Sequence, residues 1–94
     1  NRICIQGVEL DTTSHIVTLE GQTLEMSRRE YMLLKALMES AGKILSKEQL
    51  ENKLYNWGEE ISSNAIEVHI HNLRKKLLKD FIKNIRGIGY TIKK

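Results

Sequence analysis

Two patterns of apolar residues divide the chain, a strand-like pattern up to residue 25 and a helical pattern after it. In the first part, short β-prone segments alternate with turn-forming Gly, Asp, Thr and Ser residues. This alternation predicts an antiparallel meander of about four strands. The predicted strands are Ile3–Ile5, Val8–Leu10, Ile16–Leu19 and Thr23–Glu25.

Two successive segments carry the signature of a helix start. Ser27 lies three residues before Glu30, and Ser46 lies three residues before Gln49, which is the spacing of a capping box. Apolar residues flank both caps and recur at helical spacing after them. The flanking pairs are Met26 with Tyr31 and Leu45 with Leu50, and the stripe of the first helix is Tyr31, Leu34, Leu37, Met38 and Ala41. Gly42 is predicted to stop the first helix at its C′ position, and the second helix is predicted to end near residues 55–58.

The third predicted helix has two chemically different faces. It is expected to start at Ser63 or Asn64, where Glu67 completes a further capping box, and to run to about Lys79. On a helical wheel the apolar residues Ile66, Ile70, Leu73 and Leu77 share one side. The opposite side groups polar residues around one valine: Asn64, Val68, His71, Asn72, Lys75 and Lys79. This inventory suits a DNA major groove, where Asn pairs with adenine, Lys reaches guanine or phosphate, and Val touches a thymine methyl. An ordinary solvated face is the alternative.

A hairpin follows the third helix. Residues 84–86 and 90–92 read as two strands, joined by Gly87, Ile88 and Gly89. The two glycines are expected to allow positive φ in the turn and a close approach of the backbone to a phosphate. Arg86, next to that turn, could enter a narrow minor groove. The alternative is a plain surface hairpin, in which the two glycines would serve the turn equally well. Strands, three helices and a hairpin indicate an α+β fold.

Charge is distributed unevenly along the 94 residues. Residues 1–62 contain seven Lys or Arg and ten Asp or Glu, whereas residues 63–94 contain eight and two. The moderate net charge of +3 therefore conceals a strongly basic final third. Such a region is typical of a surface that meets nucleic acid or an acidic membrane.

Length and composition narrow the possibilities. The chain is long enough for one domain, spanning residues 1–94, and no apolar run approaches the length of a membrane-spanning helix. The single cysteine, Cys4, has no partner for an internal disulfide, which fits a reducing compartment. The first residues do not form a signal peptide and include no methionine, so we expect a fragment or a processed piece.

Two long motifs carry a family resemblance. The stretch Ser62–Leu77, followed by Ile85–Tyr90, resembles the winged-helix output domains of the OmpR/PhoB family of response regulators, in particular a PmrA/QseB-like subgroup. Leu24–Tyr31 and Gly42–Leu50 support the resemblance, which covers almost the whole chain in the family's order and spacing. It implies a winged helix-turn-helix with an N-terminal four-stranded antiparallel sheet, three helices and a C-terminal hairpin wing.

The resemblance also implies roles for individual residues. The third helix would lie in the major groove of double-stranded DNA, with Arg86 in the minor groove. By family position, the residues near the bases would be Val68, Asn72 and Arg74. The exposed face of the predicted helix adds Lys75 to the base contacts. The implied phosphate contacts are Lys47, Tyr55, Asn64, His71, Asn84, Gly87 and Tyr90, and the helix face adds Lys79. Many relatives carry arginine where this chain has His71 and Asn72, and others have tryptophan where it has Tyr55.

Further partners are implied by the resemblance alone. The loop Asn56, Trp57, Gly58, Glu59, Glu60, Ile61 and Ser62 corresponds to the segment that contacts RNA polymerase. Family members bind direct-repeat half-sites as homodimers. A receiver domain, absent from this chain, and a sensor kinase would supply phosphorylation control. The implied location is the bacterial cytoplasm, with no cofactor, metal or membrane.

Two other classes of function fit the sequence less well. An enzyme is disfavoured because His69 and His71 point about 200° apart on a helix and cannot share a metal. The chain also contains no nucleophile elbow, P-loop or His-Glu-x-x-His motif. A winged-helix module for protein interaction or RNA binding is the main alternative, since one fold serves several roles. RNA binders stack bases on exposed aromatics, whereas the aromatics of this chain are few and scattered.

Overall fold

The computed structural model describes residues 2–56, 64–78 and 80–93. Within them it confirms the predicted order of four strands, three helices and a hairpin. The elements are β1 (Arg2–Ile5), β2 (Val8–Asp11), β3 (Ile16–Leu19), β4 (Gln22–Leu24), α1 (Arg28–Glu39), α2 (Lys47–Asn56), α3 (Ala65–Lys76), β5 (Ile82–Ile85) and β6 (Gly89–Ile92).

The N-terminal strands form an antiparallel sheet in the order β1-β2-β3-β4. The register pairs Val8 with Leu19 and Leu10 with Val17. Because side chains alternate between the two faces of a strand, this register puts Val8, Leu10 and Val17 on one face, where all three are buried. The sheet therefore covers one side of the hydrophobic core.

Helix α1 is the central element, and it contacts α2, α3, β1 and β6. Its predicted capping box is confirmed: Ser27 Oγ accepts from the Glu30 N–H at 3.2 Å, and Glu30 Oε1 accepts from the Ser27 N–H at 2.9 Å. Burial extends beyond the predicted stripe to Met32, Leu33 and Ala36, because α1 has neighbours on several sides.

The end of α1 lies earlier than predicted. The helix stops at Glu39 with Ser40 as its C-cap, so Ala41 is outside it. Gly42 adopts φ 89° two residues beyond the cap rather than one. Its N–H donates to the Ile92 carbonyl at 2.8 Å, which ties this turn to β6.

The two following helices differ at their starts. At α2 the predicted capping box is confirmed, with Ser46 and Gln49 bonded in both directions at 2.8 and 3.1 Å. At α3 the predicted box does not form: Asn64 is the N-cap but its side chain makes no capping bond. Asn64 has φ −111° and ψ 11°, away from the extended conformation of a capping residue, and the Glu67 carboxylate accepts a hydrogen bond from Lys47.

Helix α3 also ends earlier than the predicted Lys79. It stops at Lys76, and Leu77 takes an extended conformation with ψ 179°. The extended turn lets Leu77 and Phe81 both reach the core, where their exposed fractions are 7% and 1%. Burial of these two side chains explains why the helix breaks where its sequence would allow another turn.

The hairpin begins two residues earlier than predicted, at Ile82, and its turn is Arg86–Ile88. Gly87 has the expected positive φ of 75°. The expectation for Gly89 was wrong: it lies in β6, outside the turn, and its φ is not positive. A Cβ at Gly89 would lie 2.0 Å from the Leu45 carbonyl oxygen. Glycine is needed there because the backbones of β6 and Leu45 pair directly, through Tyr90 N–H to Leu45 O at 2.8 Å and Leu45 N–H to Tyr90 O at 2.9 Å.

Candidate nucleic-acid interface

The two faces predicted for α3 are present in the structure. Ile66, Ile70, Leu73 and Leu77 are all buried. Asn64, His71 and Lys75 are exposed, and Asn72 is half-buried. Val68 lies among these polar groups with 47% of its surface exposed. A single exposed valine is ordinary on a protein surface, so its interest lies in the amide, imidazole and ammonium groups that surround it on the same face.

The consecutive cations Arg74, Lys75 and Lys76 point in three different directions. Successive residues of a helix are rotated by about 100°, so neighbours in sequence meet different surroundings. Arg74 reaches β5, Lys76 reaches α1, and Lys75 remains exposed on the face that carries Val68. The basic run of the sequence is therefore not one continuous patch.

Lys76 forms an ion pair with a buried carboxylate. Its Nζ lies 2.6 Å from Oε1 of Glu30, a side chain that is only 6% exposed. The same Oε1 accepts the Ser27 N–H, so one carboxylate caps α1 and holds the end of α3. Burial by itself raises the pKa of Glu30. Hydrogen bonds from Lys76 and from the Ser27 backbone lower it by more than burial raises it, so the pKa lies below its ordinary value.

Arg74 joins α3 to the hairpin. Its Nε and Nη2 both donate to the carbonyl oxygen of Ile82, at 3.3 and 3.1 Å. On the helical wheel Arg74 lies about 40° from Ile70, towards the apolar side and away from Val68. The structure therefore gives Arg74 a contact within the protein, while its base contact stays a prediction.

Lys47 and Glu67 connect the start of α2 to the first turn of α3. Lys47 Nζ lies 2.8 Å from Glu67 Oε1, and 42% and 58% of the two side chains are exposed. This hydrogen bond raises the pKa of Lys47 above its ordinary value, so the ammonium group stays charged. The pair brings one predicted phosphate contact beside the N-terminal end of α3.

The remaining residues predicted to contact DNA differ in their exposure to solvent. Tyr55, near the end of α2, is 71% exposed. Asn84, Arg86 and Gly87 are exposed on the hairpin. Tyr90 is buried, with 8% exposed, and its backbone pairs with Leu45. Lys79 and the loop residues Trp57, Gly58, Glu59, Glu60, Ile61 and Ser62 lie outside the described residues, and Asn56 ends α2.

Sequence reasoning missed the structural use of Glu30 with Lys76 and of Arg74 with Ile82. The helical wheel contained a partial signal, because neither Arg74 nor Lys76 falls on the face centred near Val68 and Lys75. Their partners lie far away or on the backbone: Glu30 is 46 residues from Lys76 in sequence. Such pairings become visible once the helices are packed.

The described parts of the chain contain neither a metal-binding cluster nor a membrane-spanning helix. Residues 2–56, 64–78 and 80–93 contain no cluster of three or more His, Cys, Asp or Glu that could hold a metal ion. In the same ranges no helix has the length and apolar character needed to cross a membrane.

Comparison with known proteins identifies the family. Residues 21–92 match the family described as "Transcriptional regulatory protein, C terminal". The response regulator protein PmrA of Pseudomonas aeruginosa is 53% identical over 85 residues, which cover 90% of this chain and 38% of that protein. The transcriptional regulatory protein QseB of Escherichia coli O157:H7 is 49% identical over 86 residues, covering 92% of the chain and 39% of that protein. The chain thus spans less than half the length of these relatives.

Comparison with solved structures supports the same family. The DNA-binding domain of CpxR from E. coli superposes with a TM-score of 0.83 at 31% identity, covering 98% of this chain and 95% of that one. The Klebsiella pneumoniae RstA DNA-binding domain, solved in complex with the RstA box, gives a TM-score of 0.86 at 27% identity and covers 99% and 97%. The chain therefore belongs to the OmpR/PhoB family of C-terminal, DNA-binding domains of transcriptional regulatory proteins.

Proposed function

We propose that this chain binds double-stranded DNA sequence-specifically, as the output domain of a two-component response regulator that controls transcription. Helix α3 lies in the major groove, and the hairpin formed by β5 and β6, here called the wing, lies in the minor groove. The observation that carries this proposal is the exposed face of α3, where Val68 lies among amide, imidazole and ammonium groups while the opposite face is buried.

The side chains of this face match the edges of base pairs. Asn72 offers a donor and an acceptor that complement adenine, Lys75 can donate to guanine, and Val68 can contact a thymine methyl. Arg86, at the turn of the wing, would enter the minor groove, whose negative potential is strongest where it is narrow. Arg74 was also expected near the bases.

Phosphate contacts fix the register of such a complex without reading sequence. The proposed contacts are Lys47, Tyr55, Asn64, His71, Lys79, Asn84, Gly87 and Tyr90. Exposure supports five of them, namely Tyr55, Asn64, His71, Asn84 and Gly87. Lys47 must exchange Glu67 for a phosphate, and Tyr90 would contribute through the small exposed part of its side chain.

The wider partners are proposed from the longer relatives, which are named as response regulators. We propose that a receiver domain precedes this domain in the full-length protein and that a sensor kinase phosphorylates it. We also propose that the domain binds direct-repeat half-sites as a homodimer and that RNA polymerase contacts the loop 56–62. The setting is the bacterial cytoplasm. The family is one of DNA-binding transcription regulators, and no catalytic role is proposed.

Selection from a pool of random duplexes tests the proposal. The 94-residue chain is incubated with the pool, the bound fraction is sequenced, and affinity for the selected duplex is measured against salt. We expect enrichment of two direct half-sites about one helical turn apart. The logarithm of affinity should fall linearly with the logarithm of salt concentration, since phosphate contacts release counterions.

Two results would contradict the proposal. Salt-dependent binding without any enriched sequence would leave a nonspecific nucleic-acid binder. Absence of binding even at low salt would favour the alternative, a winged-helix module that recognises an acidic protein or an RNA. A single-stranded RNA pool of matched length, run in parallel, separates those two outcomes.

A further inference from the structure

The wing is held to the rest of the domain along both of its strands, by different means. Strand β6 is held by main-chain pairing: Gly42 N–H donates to Ile92 O at 2.8 Å, and Leu45 and Tyr90 exchange two hydrogen bonds. Thr91 Oγ1 adds a bond to the Lys43 carbonyl at 2.7 Å. These bonds tie β6 to the segment between α1 and α2.

Strand β5 is held to α3 by a side chain. Both Nε and Nη2 of Arg74 converge on the Ile82 carbonyl oxygen, at the first residue of the strand. The contact is partly buried, and Arg74 belongs to the last turn of α3. A planar guanidinium with two donors on one acceptor restricts direction as well as distance. Arg74 therefore connects the helix that carries Val68 and Asn72 to the strand that leads to Arg86.

We propose that Arg74 is a positioning residue that sets the orientation of the wing relative to α3. This inference rests on the proposed function: α3 and Arg86 must meet two grooves of one duplex at the same time. It departs from the role expected for Arg74 near the bases. Loss of the contact would leave α3 able to bind its groove while Arg86 no longer enters the adjoining one in register.

A measurement without DNA tests the positioning directly. Residual dipolar couplings of backbone amides report how β5 and β6 are oriented relative to α1 and α3. For Arg74→Gln we expect the wing couplings to depart from the wild-type orientation while those of the helices continue to fit it. Lys75→Gln, which removes the neighbouring exposed charge, should leave both sets unchanged. Wing couplings in Arg74→Gln that fit the wild-type orientation would overturn the proposal.

A measurement with DNA tests the consequence. Two duplexes carry the selected half-site and differ only on the wing side, where six base pairs are A·T in one and G·C in the other. Wild type should prefer the A·T flank by about fivefold or more if Arg86 reads it. Arg74→Gln should reduce that preference to below about twofold and leave affinity for the G·C duplex nearly unchanged. Lys75→Gln should weaken both duplexes equally and keep the preference.

A double-mutant cycle with Arg86 separates the two roles of Arg74. If Arg74 acts through the wing, Arg86→Ala abolishes the flank preference and Arg74→Gln adds no further loss to it. Additive losses, together with changed preference at one base pair inside the half-site, would overturn the proposal and establish Arg74 as a base contact. Arg74→Lys keeps the charge but not the paired donors, so the salt dependence should match wild type while the flank preference falls.

Failure of the proposed function would look different. If wild type selects no duplex, DNA recognition by this domain fails and the positioning role for DNA fails with it, whatever the dipolar couplings show. If wild type selects a site but shows no flank preference, α3 recognition stands and the proposal for Arg74 is overturned.

Discussion

The two ends of α3 use charged side chains in opposite ways. In the last turn, Leu73–Lys76, two of three cations bond to other parts of the protein, Lys76 to Glu30 and Arg74 to the Ile82 carbonyl. In the first turn, Ala65–Val68, Glu67 forms an exposed pair with Lys47 of α2. The last turn therefore contributes to the stability of the fold, whereas the first turn stays available to a partner.

This difference teaches that a basic run in a sequence does not measure a DNA-binding surface. A cation that already has a buried carboxylate partner cannot neutralise a phosphate without giving up that partner. A cation in an exposed pair exchanges partners at low cost, because surface ion pairs contribute little. The charge that DNA meets is therefore smaller than the net charge of the basic final third.

The largest expected effect is on the stability supplied by the last turn. Glu30→Ala removes the capping bond to Ser27 and the partner of Lys76 together, so we expect the free energy of unfolding to fall by about 2 kcal/mol. Urea denaturation measures it. Glu48→Ala, which removes an exposed carboxylate from the first turn of α2, is the matched control. A loss no larger than that of the control would show that the last turn is held by its apolar contacts alone.

The Glu30 pair also predicts a pH dependence. Because its folded pKa lies below its ordinary value, the carboxylate stabilises the fold above the unfolded pKa of about 4.3. That contribution is lost as the pH falls through the folded value, where both states are protonated. The stability difference between wild type and Glu30→Gln should therefore be constant near neutral pH and shrink on acidification below about pH 4.3. A difference that grows on acidification would contradict the assigned direction.

Substitutions on the exposed face of α3, between its two ends, should change DNA affinity rather than the free energy of unfolding. Asn72→Ala should weaken the selected site by about 1–3 kcal/mol and random DNA much less. Gln22→Ala removes an amide from exposed strand β4 and should change neither. Equal losses on both duplexes in a fluorescence anisotropy titration would remove Asn72 from base recognition.

Local signals in the sequence were enough for most of the fold. The capping boxes at Ser27 and Ser46, the strand alternation and the buried stripe of α3 are all present as predicted. Each depends on residues within about one helical turn or strand pair of each other. The box expected at Asn64 does not form: Asn64 has φ −111° and ψ 11° instead of the extended conformation of a capping residue, and Glu67 bonds to Lys47 on another helix. Local spacing could not reveal that partner.

Tertiary contacts account for the remaining differences. Helix α3 breaks after Lys76 because Leu77 and Phe81 both enter the core. Gly89 is required by the backbone of Leu45, a contact between segments far apart in sequence. For the site, exposure of Val68, His71 and Lys75 was predictable from the wheel, but the partners of Arg74 and Lys76 were not. The DNA contacts themselves stay predictions.

Lys75 and Lys76 offer the sharpest comparison between an exposed and an engaged cation. They are neighbours of identical chemistry, yet only Lys76 has a buried partner. Lys75→Gln should flatten the plot of log affinity against log salt by about one unit. Lys76→Gln should leave that slope unchanged and lower the midpoint of urea unfolding. If Lys76→Gln flattens the slope as much as Lys75→Gln does, DNA draws Lys76 away from Glu30.

The smallest effect is expected at the exposed pair of the first turn. On DNA, Lys47 must leave Glu67 for a phosphate, and the carboxylate left behind stays near the phosphate backbone and opposes binding. Glu67→Gln removes both obstacles, so affinity for random DNA should rise by about twofold, with a weaker gain on the selected site. The gain should disappear in Lys47→Ala/Glu67→Gln if it acts through Lys47, and persist there if it reflects direct repulsion. A loss of affinity in Glu67→Gln would instead assign Glu67 a contact of its own, since a carboxylate can accept from the amino group of cytosine, and the first turn would then read sequence as well as hold phosphate.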